Sequence, residues 1–151
     1  MNKPTAYLGI DPGITGAIAL IHDDGQIVED WPGDEVAAVN LIRSLLLQYD
    51  VRRAAVEDMG AGPPKGKFGF IKLSENKGIW RGILAAHGVP FVLVRPQEWM
   101  KGMVPKKGAG NDKPSLAVAR RLFPNLDLHR KADHNRADAL LIAEWARRQG
   151  A

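Results

Sequence analysis

The sequence contains no cysteine, which excludes disulfides, cysteine-ligated zinc and thiol chemistry and fits a reducing compartment. No uninterrupted apolar stretch approaches the roughly 18 residues that a bilayer span requires. Nor does a basic start followed by an apolar run open the chain, whose first residues Met1–Thr5 are short and polar. The expectation is a cytoplasmic protein without membrane contact. Charge of one sign is in small excess only, with 21 Lys and Arg against 17 Asp and Glu, too little to argue for a polyanionic partner by itself. Without an internal repeat or a shift in composition, residues 1–151 are expected to form a single domain. A domain of this size buries about two-thirds of its unfolded surface and needs no covalent staple.

What the sequence does contain is ordered apolar patterning. Ala6–Ile10 runs into the turn signal Asp11-Pro12-Gly13. Ala17–Ile21 and Gln26–Trp31 flank Asp23-Asp24-Gly25 and predict a hairpin. Asp34 can cap a helix whose stripe is Val36, Val39, Ile42, Leu45, Leu46 and Tyr49. Ala54–Glu57 reads as a buried parallel strand, and a helix is expected over Ile71–His87, stopped by Gly88 and Pro90. Phe91–Val94 follows as a strand, Gln97–Met100 as one helical turn, and Pro114 opens a helix to about Phe123. A strongly periodic helix, about Asp133–Arg148, closes the chain. The order predicts an α/β layer architecture: a mixed central sheet, an antiparallel three-strand meander plus parallel strands, flanked by helices. Two Gly/Lys stretches, 60–69 and 102–112, read as loops at a working edge.

Three acids sit where the apolar pattern predicts something else. Asp11 follows one strand, Glu57 ends another, and Asp138 precedes Ala139-Leu140-Leu141-Ile142-Ala143 in the last helix. An ionised, unpaired carboxylate at such a place costs several kcal/mol. If the two strands are adjacent and parallel, Asp11 and Glu57 share an edge. Clustered carboxylates repel unless a cation neutralises them, and an oxygen-rich site suits Mg²⁺, or Mn²⁺, rather than zinc. His134 and Asp138 are four residues apart and share a helical face, whereas Asp133 lies about 140° from Asp138 and reads as an N-cap or supporting acid. Taken singly these signals are bland: an Asp after a strand is ordinarily a turn residue. Asp58 reads as a surface or cap residue, His22, His87 and His129 as surface or half-buried, and Trp80, Trp99 and Trp145 as core. The joint pattern is what points to chemistry.

With those residues in hand, the chain resembles the RuvC-type Holliday-junction resolvases. Leu8-Gly9-Ile10-Asp11-Pro12-Gly13 is similar to their opening motif, and Ala55-Val56-Glu57-Asp58 to their second acidic strand. The stretch Asp133-His134-Asn135-Arg136-Ala137-Asp138-Ala139-Leu140-Leu141-Ile142-Ala143 resembles the closing helix of the phage and plastid branches. Arg95-Pro96-Gln97-Glu98-Trp99-Met100-Lys101 and Ala119-Arg120-Arg121-Leu122-Phe123-Pro124 fit the same branch, so the likeness covers nearly the whole chain. It implies a ribonuclease-H-like fold with metal-binding and catalytic positions at Asp11, Glu57, His134 and Asp138. Bacterial RuvC spaces the last two ligands three apart, which would select Asn135; the four-residue spacing of the other branches selects His134. Asn135 stands where Gly is usual.

The resemblance further implies a homodimer that nicks a four-way DNA junction symmetrically with two divalent cations per active site, Mg²⁺ or Mn²⁺. The nicks would carry 5′-phosphate and 3′-hydroxyl ends, with His134 a ligand or general base. In the loop after Glu57, Lys65 and Lys67 would meet phosphates and Phe68 an unpaired base; Lys101, Lys106, Lys107 and Lys113 would follow a DNA arm. Ile71, Ile79, Trp80 and Leu84 are the expected dimer patch. If phage-encoded, the protein would work in the host cytoplasm. Competing readings are a nuclease for other branched DNA or for RNA–DNA hybrids, a non-catalytic DNA-binding relative, and an actin-like ATPase suggested by Asp11-Pro12-Gly13-Ile14-Thr15-Gly16. The last needs two such domains around ATP.

Overall fold

A computed structural model describes residues 2–59, 66–105 and 114–149, the side chains of 66 and 67 aside. Continuous burial over Leu8–Asp11 marks Thr5–Asp11 as the central strand β1, whose residues face core on both sides. It pairs antiparallel with β2 (Ala17–His22), which pairs antiparallel with β3 (Gly25–Asp30), so the expected meander and its tight turn at Asp23-Asp24 are present. On its other side β1 pairs parallel with β4 (Asp50–Glu57), and β4 with β5 (Phe91–Val94). The sheet order is β3-β2-β1-β4-β5.

Helices cover both faces. One carries α1 (Glu35–Gln48) and α2 (Gly66–Ala86), whose Ile42, Leu45, Trp80 and Leu84 pack on Leu8, Ile10, Leu20 and Val56. Asp34 caps α1 as expected, its Oδ1 accepting from Ala37 N at 2.8 Å. The other face carries α3 (Pro96–Met100), α4 (Pro114–Leu122), a 3₁₀ turn (Lys131–Asp133) and α5 (His134–Gln149). Ala139–Ala143 of α5 are all fully buried. Burying each of Leu140, Leu141 and Ile142 contributes about 1.5–3 kcal/mol, enough to fix α5 firmly on β1 and β2.

Three expectations need correction. The helix read over Ile71–His87 starts at Gly66, so 66–69 are not loop: once the long helix forms, each added residue gains a backbone bond that offsets the glycine cost. Phe68 therefore stands on the first turns of α2, 71% exposed. Of the dimer patch, Trp80 and Leu84 are core residues, 1% and 0% exposed, because α2 packs on both α1 and the sheet. Ile79 is partly buried beside them, and Ile71 alone of the four is exposed. Asp133 does not cap α5. It closes the preceding 3₁₀ turn, its Oδ2 accepting from Arg130 N at 2.9 Å and its Oδ1 from the Arg130 guanidinium.

Candidate active site

The last register pair of β1 and β4 is Ile10 with Val56, so Asp11 and Glu57 follow side by side at the same sheet edge, with Cα atoms on the order of 5 Å apart. Strand alternation decides which way they face. Ile10 and Val56 belong to the core under α1 and α2, so Asp11 and Glu57 turn to the opposite face, where α5 lies. Both are buried, 8% and 6% exposed. Two carboxylates this close out of water need positive charge or donors to stay ionised.

The approach of α5 is set by Gly9. A Cβ there would lie 2.2 Å from both the Ala139 carbonyl oxygen and the Ala143 nitrogen. Backbone meets backbone two residues before Asp11, and Asp138 sits one residue before that contact. Asp138 also borders a cleft of about 660 Å³ lined by Gln97, Met100, Lys101, Val104 and Ser115.

Donors hold the two strand ends. Gly13 N donates to Asp11 Oδ1 at 3.0 Å, and the Trp99 indole Nε1 donates to Glu57 Oε2 at 2.6 Å. Asp58 pairs with Lys77 Nζ at 2.9 Å, so it is engaged by α2 and only partly exposed rather than a plain surface residue. The buried Asn76 reaches the Gly13 carbonyl at 3.4 Å. Asn135 Nδ2 donates to Thr15 Oγ1 at 2.9 Å, joining the start of α5 to the turn after Asp11. His134 Nδ1 lies 3.1 Å from the Lys131 carbonyl. A carbonyl only accepts, so Nδ1 carries the proton and Nε2 is the basic nitrogen of the neutral ring. Burial pushes the Asp133 carboxyl up, but the hydrogen bonds and charge of Arg130 outweigh it and hold the group below its ordinary value.

The fold resembles a solved Thermus thermophilus RuvC in complex with a Holliday-junction substrate, at TM-score 0.68 and 20% identity over 96% of each chain. A second Thermus thermophilus RuvC structure matches at TM-score 0.61 and 19% identity, again over 96% of each chain. The chain has the RuvC fold. In sequence it is 42% identical over 110 residues to a chloroplastic Holliday junction resolvase of Chlamydomonas reinhardtii, a match to 62% of this chain and 12% of that protein. The chain thus spans a small part of that relative. No family model matches. The likeness to RuvC-type resolvases read from the motifs is borne out in both fold and sequence.

Within this RuvC fold, Asp11 and Glu57 are brought together at one edge, and His134 and Asp138 stand one turn apart on the helix packed against it. Among the described residues, no three His, Asp or Glu side chains are gathered tightly enough to hold one ion. Lys65, Lys106, Lys107 and Lys113 lie outside the described residues, as does the side chain of Lys67 in the first turn of α2. Sequence reasoning missed Trp99 and Asn76 as partners of the site and Asn135 as a tie. Only the placement of Trp99 two residues after Gln97, on a single turn following β5, hinted at a position near a strand end.

Proposed function

We propose that the protein is a metal-dependent endonuclease that resolves four-way DNA junctions by paired symmetric nicks. The observation that carries this is the placement of Asp11 and Glu57 on adjacent parallel strand ends, facing the helix that bears Asp138. The chain is read as one nuclease domain over 1–151, and the absence of cysteine is the ground for a reducing, cytoplasmic location. Among the described residues no helix is long and apolar enough to cross a membrane.

The donor set fits a hard divalent cation: three carboxylates, and an imidazole whose proton is held on Nδ1 by a carbonyl. Asp11, Glu57, His134 and Asp138 would hold Mg²⁺, with Mn²⁺ able to substitute. When bound, two such ions would supply a readily deprotonated water and neutralise charge on the leaving oxygen. His134 Nε2 would take the proton of the attacking water if it does not itself ligate. The water oxygen would join phosphorus, the P–O3′ bond would break, and the leaving 3′ oxygen would take a proton from solvent, giving 5′-phosphate and 3′-hydroxyl ends. Phe68, exposed on the first turns of α2, offers a face for an unpaired base. Lys65, Lys67, Lys106 and Lys107 supply charge for phosphates. Two equivalent cuts call for a two-fold dimer, and Ile71, with Phe70 beside it, is an exposed apolar residue of α2 available to it.

The test compares an end-labelled four-way junction, a linear duplex and an RNA–DNA hybrid, each with Mg²⁺ and with chelator. Metal-dependent cuts at two symmetry-related positions of the junction alone are expected. Cleavage of the hybrid, or junction binding without any cut in Mg²⁺ or Mn²⁺, would overturn the proposal.

A further inference from the structure

Trp99 is fully buried, at 0% exposure, yet its one polar atom is not spent on the backbone or on solvent: Nε1 donates to Glu57 Oε2 at 2.6 Å. This is short even for a bond to an ionised acceptor, and burial in a low-dielectric interior strengthens it further. We infer that Trp99 is the positioning residue of Glu57, fixing the plane of its carboxylate at the sheet edge. The inference rests on the reading of Glu57 as a metal ligand.

The argument is geometric. A glutamate carboxylate turns about its last torsion with little preference, so an unassisted Glu57 would present its oxygens over a broad arc. Trp99 can remove that freedom because its backbone is tied to that of Glu57. Val94, the last residue of β5, pairs in register with Glu57, and its carbonyl accepts from Asp58 N at 2.8 Å. Pro96 then starts α3, with its ring at the first helical position, and Trp99 follows in that single turn. The donor thus stands on the single turn that follows β5, the strand hydrogen-bonded to the one that ends in the acceptor.

Stability alone does not account for the pair. A buried carboxylate–indole pair is a poor substitute for two apolar side chains of the same volume, and the ring of Trp99 lies in the apolar core under α5. A phenylalanine would fill most of that space. The N–H is the feature that a purely structural role leaves without a purpose.

The experiment uses ¹⁵N-labelled full-length protein, whose four tryptophans give four indole N–H signals. The Trp99 signal is the one lost in Trp99→Phe; should that variant fail to fold, it is the one moved in Glu57→Gln. Titration of the wild-type protein with Mg²⁺ is expected to shift this signal. In parallel, calorimetry with Mn²⁺ is expected to show affinity lowered about 10- to 100-fold in Trp99→Phe, the range for partners that orient metal ligands, with an unchanged circular dichroism spectrum. Wild-type binding of Mn²⁺ with equal affinity in Trp99→Phe overturns the positioning role and leaves the metal site standing. An indole signal indifferent to both Glu57→Gln and Mg²⁺ overturns it as well. A wild-type protein that binds neither ion overturns the metal reading, and the role of Trp99 falls with it.

Discussion

Replacing Gly9 by alanine should damage the site without touching any of its side chains. The added Cβ would lie 2.2 Å from the Ala139 oxygen and the Ala143 nitrogen, and 2.8 Å from Ala143 Cα. All three are backbone atoms of α5, so no rotamer change can relieve the clash. Restoring ordinary contact at 3.4 Å means moving α5 off β1 by about 1.2 Å. Overpacking of this kind typically costs about 1–3 kcal/mol, and here the helix that must yield is held by Leu140, Leu141 and Ile142. That helix also carries His134 and Asp138, and a shift of about 1 Å in a reacting group costs on the order of 100-fold in rate. Urea denaturation and junction cleavage should both register the change. Gly82→Ala is the control: nothing lies within 4 Å of its added Cβ, and in a helix the change should be neutral or stabilise by about 0.5–1 kcal/mol. A Gly9→Ala protein with wild-type midpoint and wild-type cleavage would refute the reasoning.

Asp11→Asn should abolish cleavage and leave junction binding intact or stronger, since one of two adjacent negative charges is removed; a gel-shift and nicking assay on the same preparation reads both. Asp133→Ala should lose about 1–3 kcal/mol of stability through its broken bonds to Arg130 while retaining cleavage, and His134→Ala should do the reverse; thermal melts set beside nicking rates separate them. Burial raises the Glu144 carboxyl, yet its bonds to Arg147 and Arg148 outweigh that and hold it below its ordinary value of 4.5. A group depressed on folding contributes stability above its unfolded value and loses it as pH falls through the folded one. The Tm gap between wild type and Glu144→Gln should therefore be full above about pH 5 and close progressively below pH 4; a gap that widens in acid would contradict this.

The strand ends and the last helix were legible because local pattern dictates them. Apolar runs halting at Asp11 and Glu57, and the buried stripe of α5, appear in the sequence as they do in the fold. Legibility fails where distant parts of the chain decide. The first four residues of β4, Asp50–Arg53, are polar at three positions, and they are strand because Asp50 N bonds the Pro4 carbonyl and β1 lies alongside. Two glycines concealed the start of α2. Trp80 and Leu84 looked surplus to one buried face, but both lie in the core that α2 shares with α1 and the sheet. At the site, the His134–Asp138 face followed from helix geometry, whereas Trp99 meets Glu57 across 42 residues of chain, a pairing no local spacing encodes. Asn135 departs from the glycine usual in its motif; its amide is used on Thr15, 120 residues away.

Diffraction from crystals grown with Mn²⁺, collected for its anomalous signal, tests the central claim most directly. The account predicts a peak at the shared edge of β1 and β4, bonded by Asp11 and Glu57 at roughly 2.0–2.2 Å, near the distance of a hard octahedral ion, with Asp138 turned toward it. No peak at that edge at millimolar Mn²⁺, or a peak whose ligands include neither Asp11 nor Glu57, would contradict it.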